Sequence, residues 1–142
     1  MIAPLSVADF AARCGANLHH DPDSLSVISG LAIDSRQVKP GDLFVAIPGA
    51  KADGHDYVTA ALDRGAAAAL VRQAVNSSIP QVIVPDAEAA LLTFGAMTRA
   101  DYDGILVGIT GSAGKTTAKN MLAEILSRAG KVVATTGNQN NE

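Results

Sequence analysis

Two glycines, a lysine and two threonines lie close together in the second half of the chain, at Gly111, Gly114, Lys115, Thr116 and Thr117. Glycines let the backbone curl so that several N–H groups face one anion. A lysine at this spacing adds a full positive charge that suits β- and γ-phosphates, and the hydroxyl that follows it can ligate Mg²⁺. The combination predicts a loop that binds the phosphates of a nucleotide.

The segments on either side of this loop have the patterns needed to hold it. Residues 105–109 are apolar throughout, which is typical of a buried parallel strand. Apolar residues recur at helical spacing from Thr116 to Ala129, and residues 131–135 predict a further strand. The positive end of such a helix stabilises a bound anion by about 0.3–1 kcal/mol per exposed charge. Strand, loop, helix and strand together predict a right-handed βαβ unit.

Ile109 departs from the generic phosphate-loop pattern, which has glycine five residues before Gly114. The same isoleucine argues against a dinucleotide-binding loop, which requires glycine at positions 109, 111 and 114. Lys115 and Thr116 favour a nucleoside triphosphate, because a dinucleotide site needs neither of them. The remaining alternative is a glycine-rich turn that carries a surface lysine.

The first half of the chain predicts a separate α/β unit. Ser6 as N-cap, with Asp9 at the third helical position, predicts a short helix that Gly15 ends. Asp56 is expected to cap a second helix, which Gly65 ends. Strands are expected over residues 25–33, 42–47, 67–71 and 81–84.

The predicted fold class is therefore α/β, with a small N-terminal α/β substrate-binding domain and the start of a P-loop domain with a parallel sheet. The first domain is expected over residues 1–84 and the second over residues 85–142, beginning with a helix over 86–100. A single βαβ unit cannot cover both faces of a parallel sheet, so we expect the second domain to be incomplete.

The composition is typical of a globular protein that acts on small molecules. Hydrophobic residues make up 48% and charged residues 18%, which argues against disorder. The net charge of −3 provides no basic surface for nucleic acid. No membrane span or signal peptide is evident, and Cys14, expected in the core, has no disulfide partner. We therefore expect a cytoplasmic protein with no membrane or nucleic-acid partner.

Three segments resemble the Mur ligases, the family that extends the peptide stem of the peptidoglycan precursor. Residues 110–117, in sequence TGSAGKTT, resemble the ATP loop of that family, which does not use glycine at the position of Ile109. Residues 33–57 are similar to the uridine-nucleotide-binding domain of the later Mur ligases. Residues 137–142 are similar to a signature of the members that join D-alanyl-D-alanine to UDP-N-acetylmuramoyl-tripeptide.

This resemblance implies a reaction and roles for individual residues. ATP phosphorylates the carboxylate of UDP-N-acetylmuramoyl-tripeptide to an acyl phosphate, and the amine of D-alanyl-D-alanine displaces the phosphate. The implied catalytic residue is Lys115, and Thr116 is the implied Mg²⁺ ligand. The implied ATP contacts are Thr110, Gly111, Ser112, Ala113, Gly114, Lys115, Thr116 and Thr117.

Two groups of residues are candidates for contacts with the other substrates. Ser35 and Arg36 follow a predicted strand, and Lys51, Asp53 and His55 share a glycine-flanked loop. The second group follows the predicted strand 131–135, at the carboxyl edge where ligands gather in parallel sheets. Its members are Thr135, Thr136, Asn138 and Asn141.

Two alternative functions stay open at this point. One is a Mur ligase that adds the third residue of the stem peptide, although such members usually carry asparagine where Ala113 stands. The other is a nucleotide-binding module without catalysis. Because the resemblance implies that the remaining active-site residues lie beyond Glu142, we expect the chain alone to be inactive, and we expect a monomer.

Overall fold

The computed structural model describes residues 5–20, 26–49 and 52–135. The chain divides into two units, Met1–Tyr102 and Asp103–Glu142. Seven strands are described, all of them in the first unit, together with three α-helices there and one in the second. The predicted α/β class with a parallel sheet is confirmed.

A mixed sheet of five strands forms the centre of the first unit. Its strands are β2 (Asn17–His19), β4 (Gly30–Ala32), β5 (Asp42–Val45), β6 (Ala68–Val71) and β7 (Gln81–Ile83), in the spatial order β2-β7-β6-β5-β4. The strands β4 to β7 are mutually parallel, and β2 runs antiparallel to β7 at the edge. A separate antiparallel pair joins β1 (Leu5–Ser6) to β3 (Val27–Ile28). The strand predicted over residues 25–33 is thus two short strands in the described residues, and β1 and β2 were not predicted.

Helices cover both faces of this sheet, as the alternation of its buried residues requires. On one face, α1 (Val7–Arg13) and α3 (Ala87–Ala100) pack against alternate residues of the central strands, including Leu43, Leu70 and Val82. On the other face, α2 (Val58–Asp63) packs against Phe44 and Val71. The strands β5 and β6 are consequently buried along their whole length.

The predicted cap of the first helix is confirmed, and that of the second is wrong. The Ser6 side chain accepts a hydrogen bond from the Asp9 N–H at 3.0 Å. Asp53, not Asp56, provides the side-chain cap after β5: its carboxylate accepts from the His55 N–H at the start of a short 3-10 helix, Gly54–Tyr57. The helix α2 continues from this turn with no side-chain cap of its own, because the preceding 3-10 turn already leads into it.

Helix α3 belongs to the first unit, whereas the sequence placed it at the start of the second domain. Asp86 caps it by accepting from the N–H groups of Glu88 and Ala89, a role that the sequence analysis did not assign to it. Its residues Ala90 and Phe94 are buried in the core that α1 shares, and the Phe94 ring meets the Phe10 ring edge-on with centroids 4.8 Å apart. This packing places the division of the chain after Tyr102 rather than after residue 84. Met97, one turn further along the helix, remains 39% exposed.

Gln81 is a buried polar residue that organises the connection between β6 and β7. Its carboxamide oxygen accepts from the Val75 N–H at 2.8 Å, and its nitrogen donates to the carbonyl oxygens of Val75 and Ser77. The side chain thus satisfies backbone groups of a loop that folds over the sheet, which explains how a fully buried amide is tolerated.

In the second unit, the structure describes helix α4 (Lys115–Ser127) but not the two predicted strands. Residues 105–109 and 131–135 carry no strand pairing, and Ile105 and Val133 are 91% and 77% exposed. A strand is defined by hydrogen bonds to neighbours, and no such neighbour pairs with either segment among the described residues. Both segments therefore have the apolar pattern of a buried strand but no hydrogen-bonded neighbouring strand among the described residues.

Candidate nucleotide and substrate sites

The predicted phosphate loop, residues 110–117, contains a backbone conformation that favours glycine. Gly114 lies at the N-cap of α4 with φ of 76°, in the left-handed region. Nothing lies within 4 Å of a Cβ placed there, so the restriction comes from the backbone conformation and not from crowding. The loop residues Thr110, Gly111, Ser112, Ala113 and Gly114 are all exposed. An anion can therefore approach the backbone of this loop directly.

Helix α4 presents unpaired donors at the same place. Its first observed link to the loop is the hydrogen bond from the Ala118 N–H to the Gly114 carbonyl oxygen, at 2.9 Å. An α-helix leaves its first N–H groups without intrahelical partners, and the helix dipole makes this end positive. The hydroxyl-bearing residues Thr116 and Thr117 are exposed in the first turn. The arrangement suits a phosphate chain.

Lys115 is the first residue of α4, and its side chain folds back over the loop. Its Nζ donates to the Gly111 carbonyl oxygen at 2.6 Å. No carboxylate among the described residues forms an ion pair with it. The ammonium group is thus held above the loop by a neutral acceptor. A phosphate oxygen that replaces this acceptor would form a stronger, charge-assisted hydrogen bond.

Lys119, one turn further along α4, connects the helix to the segment 131–135. Its Nζ donates to the carbonyl oxygen of Thr135. Thr135 is thereby placed beside the helix that carries the phosphate loop. The other predicted residues of this group, Thr136, Asn138 and Asn141, lie outside the described residues. The role of Lys119 was missed, although its i+4 spacing from Lys115 puts both lysines on one helix face.

In the first unit, Ser35 and Arg36 form a short 3-10 helix, Ser35–Gln37, directly after β4. The Arg36 guanidinium donates to the Asp34 carboxylate through Nε at 3.0 Å and through Nη2 at 2.8 Å. This side-chain hydrogen bond is the main reason why the pKa of Asp34 falls to about 2. Arg36 remains 82% exposed, so its unused donors are available to an anion. Asp34 was not singled out from the sequence, although an aspartate before a turn is a common cap.

Asp53 and His55 are brought together in the connection after β5. The His55 ring is 8% exposed, and its Nδ1 lies 2.6 Å from Asp53 Oδ1. Its Nε2 accepts from the Arg72 N–H at 2.9 Å. The pKa of Asp53 is lowered, first by the hydrogen bond from the His55 N–H and then by that from the ring. Lys51 lies outside the described residues.

These residues share one edge of the sheet. Asp34 follows β4, Asp53 follows β5 and Arg72 follows β6, so all three stand at the carboxyl ends of adjacent parallel strands. Helix α2 contacts the 3-10 helix of Arg36, and Tyr57 contributes electrostatically to the raised pKa of Arg36 after the larger effects of Asp34. Open α/β sheets bind their ligands at this edge.

The described residues offer no cluster of three or more histidine, cysteine, aspartate or glutamate side chains that could hold a metal ion. Mg²⁺ commonly binds through few protein ligands together with substrate phosphates. The exposed Thr116 hydroxyl fits that type of site, in which nucleotide phosphates and water supply most ligands. Separately, no described helix has the length and apolar character that crossing a membrane requires.

Comparison with known proteins identifies relatives along most of the chain. The profile of the Mur ligase family, catalytic domain, matches residues 27–128. The UDP-N-acetylmuramoyl-tripeptide–D-alanyl-D-alanine ligase of Escherichia coli is 39% identical over 115 residues, covering 81% of this chain and 25% of that protein. The UDP-N-acetylmuramoyl-L-alanyl-D-glutamate–2,6-diaminopimelate ligase of Syntrophomonas wolfei is 40% identical over 118 residues, covering 78% of this chain and 23% of that protein.

Solved structures give the same result. A crystal structure of MurF from Acinetobacter baumannii superposes with a TM-score of 0.77 at 33% identity, covering 89% of this chain and 28% of that one. MurF ligase from Thermotoga maritima, in complex with ADP, superposes with a TM-score of 0.64 at 37% identity, covering 78% and 26% of the two chains. The chain spans about a quarter of the length of these relatives. It belongs to the Mur ligase family of ATP-dependent ligases.

Proposed function

We propose that the protein containing this chain is the ligase that joins D-alanyl-D-alanine to UDP-N-acetylmuramoyl-tripeptide in the cytoplasm, at the expense of ATP. The observation that carries the proposal is the loop at the start of α4, where Gly114, Lys115 and Thr116 combine a left-handed glycine, a charge and exposed hydroxyls. The similarity to relatives of that activity supports the choice of substrates.

The proposed chemistry has two steps. A carboxylate oxygen of the tripeptide attacks the γ-phosphorus of ATP, and the bond to ADP breaks. The amine of D-alanyl-D-alanine then attacks the carbonyl carbon of the acyl phosphate, loses a proton, and expels inorganic phosphate. The chain's contribution to the first step is positioning and neutralisation of phosphate charge by Lys115 and the amides of residues 110–117. Mg²⁺, when held by Thr116 and the phosphates, would neutralise further charge.

The first unit is proposed to bind the uridine nucleotide portion of the substrate. Ser35, Arg36 and the loop with Lys51, Asp53 and His55 are the proposed contacts. Their support is the position of the described members at one edge of the sheet and the exposed guanidinium of Arg36. Thr135, Thr136, Asn138 and Asn141 are proposed as contacts for the reacting part of the substrate. The chain by itself is proposed to bind nucleotides without ligating them.

A phosphate-release assay on the full-length protein tests this proposal. Release should require ATP, Mg²⁺, UDP-N-acetylmuramoyl-tripeptide and D-alanyl-D-alanine together. Activity instead with UDP-N-acetylmuramoyl-dipeptide and a diamino acid would establish the second candidate, which the similarity to the diaminopimelate ligase favours. ATP binding without turnover on either pair would leave only a nucleotide-binding module. A mass spectrum of the product identifies the bond formed in either case.

A further inference from the structure

His55 is a nearly buried imidazole with both ring nitrogens engaged by the protein itself. Its ring is 8% exposed. Asp53 Oδ1 lies 2.6 Å from Nδ1, and the Arg72 backbone nitrogen lies 2.9 Å from Nε2. A histidine that contacts a ligand through a ring nitrogen needs one nitrogen directed at that ligand. Neither nitrogen of His55 is available for this.

The two partners determine where the ring proton lies. A backbone N–H can only donate, so Nε2 must carry its lone pair toward Arg72. The proton of the neutral ring is then on Nδ1, where it is donated to the Asp53 carboxylate. Asp53 is a suitable acceptor because its pKa is lowered by the two hydrogen bonds from His55.

The imidazole links the segments that follow β5 and β6, at a point where the pairing of these strands has ended. The register of β5 with β6 ends at Val45 and Leu70, with one further hydrogen bond from the Ala46 N–H to the Leu70 carbonyl oxygen. Beyond that point, the described residues show no further backbone hydrogen bond between the two segments, and Asp53 pairs instead with Pro48 in an isolated bridge. The His55 ring spans this gap and reaches the first residue after β6, which is 17 positions distant in sequence.

We infer that His55 is a positioning residue whose neutral imidazole clamps the connection after β5 to the end of β6, and so holds Asp53 at the substrate-binding edge. The inference rests on the proposed binding of a uridine nucleotide at this edge. It revises the contacts proposed above: Ser35, Arg36, Lys51 and Asp53 remain proposed contacts, whereas His55 supports the site, because both of its ring nitrogens are engaged. Both nitrogens are used, so no other side chain can replace the ring completely.

The state of the ring can be measured directly in the ¹⁵N-labelled chain of 142 residues. The nitrogen shifts of His55 should show a neutral ring protonated on Nδ1 at pH 7.5. A scalar coupling through the hydrogen bond should connect His55 Nε2 to the Arg72 amide nitrogen. A ring protonated on Nε2, or the lack of this coupling, would overturn the inference without any substitution.

Two substitutions each remove one of the two hydrogen bonds of the His55 ring. In His55→Gln the side-chain oxygen can reach the position of Nε2 and accept from Arg72, but the bond to Asp53 is lost. In His55→Asn the amide nitrogen occupies the position of Nδ1 and donates to Asp53, but the bond to Arg72 is lost. Amide exchange at Arg72 should therefore remain slow in His55→Gln and become fast in His55→Asn.

Binding of UDP-N-acetylmuramic acid to the same proteins tests the consequence for the site. Each variant should raise Kd about threefold to tenfold, as expected for one lost hydrogen bond. The matched control is His20→Asn, because His20 is exposed with φ of 52°, a conformation that asparagine tolerates, and it should bind as the wild type does.

The outcomes separate this inference from the proposed function. Unchanged Kd in both folded variants refutes the positioning role, even if the wild-type chain binds well. Failure of the wild-type chain to bind, with the coupling to Arg72 present, refutes the proposed uridine site and supports the clamp as a structural link. Equal exchange at Arg72 in the two variants would contradict the assignment of the ring nitrogens.

Discussion

At the scale of single residues, the charge of Lys115 is held over the phosphate loop by one short hydrogen bond to the Gly111 carbonyl oxygen. This partner is neutral and exposed, so exchanging it for a phosphate oxygen gains a charge-assisted contact. We therefore expect the lysine to contribute to activity and little to the fold. The left-handed φ of Gly114 and the hydrogen bond from the Ala118 N–H to the Gly114 carbonyl oxygen are backbone features that do not involve its side chain.

Replacement of Lys115 by alanine in the full-length protein should lower kcat/KM for ATP by at least about 100-fold, because charge stabilisation in the transition state is lost. Steady-state kinetics with the other substrates saturating measures the effect. Lys131→Ala removes another exposed lysine of the same unit and serves as the control. Near-normal turnover of Lys115→Ala would show that the loop is not a catalytic phosphate clamp.

Asp34 should titrate with a midpoint of about 2, well below its usual value of 3.8, because Arg36 donates to both of its oxygens. The folded-state pKa is depressed, so the stabilising effect is complete above the unfolded value and is lost as the pH falls from 3.8 toward 2. A ¹³C NMR titration of the carboxyl group measures the midpoint. Arg36→Ala should return it toward 3.8. A wild-type midpoint near that value would exclude this ion pair in solution.

At the scale of elements, the 3-10 helix after β5 is fixed by a close approach of backbone to backbone. A Cβ placed on Gly54 would lie 2.7 Å from the Ile47 nitrogen and 2.8 Å from its oxygen. Gly95, in the interior of α3, has nothing within 4 Å of such an atom. The two glycines therefore provide a matched pair for one and the same substitution.

Gly54→Ala should destabilise the chain by about 1–3 kcal/mol, because the backbone must shift to admit the methyl group. Gly95→Ala should stabilise it by about 0.5–1 kcal/mol through helix propensity. Urea unfolding followed by circular dichroism gives both values. If the Gly54→Ala variant were at least as stable as the Gly95→Ala variant, the close approach at Gly54 would be contradicted.

The sequence predicted those elements whose determinants are local. The cap of α1 depends on residues within three positions, and the loop before α4 depends on the eight consecutive residues 110–117, so both are readable from the sequence. The strand β2 was missed because its pairing with β7 depends on residues more than sixty positions away. The partners of Gln81 and of the His55 ring likewise follow from tertiary packing.

The apolar pattern of residues 105–109 predicted a buried strand, yet the segment is unpaired among the described residues and its residues 105–108 are exposed. Apolar composition predicts where a strand can be buried, whereas its formation depends on neighbouring strands. The same distinction applies to the site residues. The candidate substrate contacts remain predictions, because a contact residue is defined by the substrate that it binds.

At the scale of the whole molecule, the first unit depends on α3 for the cover of one face. A chain of residues 1–102 should therefore unfold cooperatively, whereas residues 1–84 should be less stable by several kcal/mol. Burial of Phe94 alone contributes about 1.5–3 kcal/mol, and Phe10 would lose its ring partner. Guanidinium unfolding of the two chains measures the difference. Equal midpoints would show that α3 is not needed by the core.

The order of the strands also has a consequence for biosynthesis. The segment with α1 and β2 leaves the ribosome before β7 and α3, on which it packs, and Arg13 meets Asp101 across 88 positions. At roughly 5–20 residues per second, the apolar face of α1 waits on the order of ten seconds for its partners. The strands β4, β5 and β6 have sequential neighbours and can pair earlier. Helix α1 is thus expected to dock after these strands have paired, and its apolar face is expected to be accessible to chaperones until then.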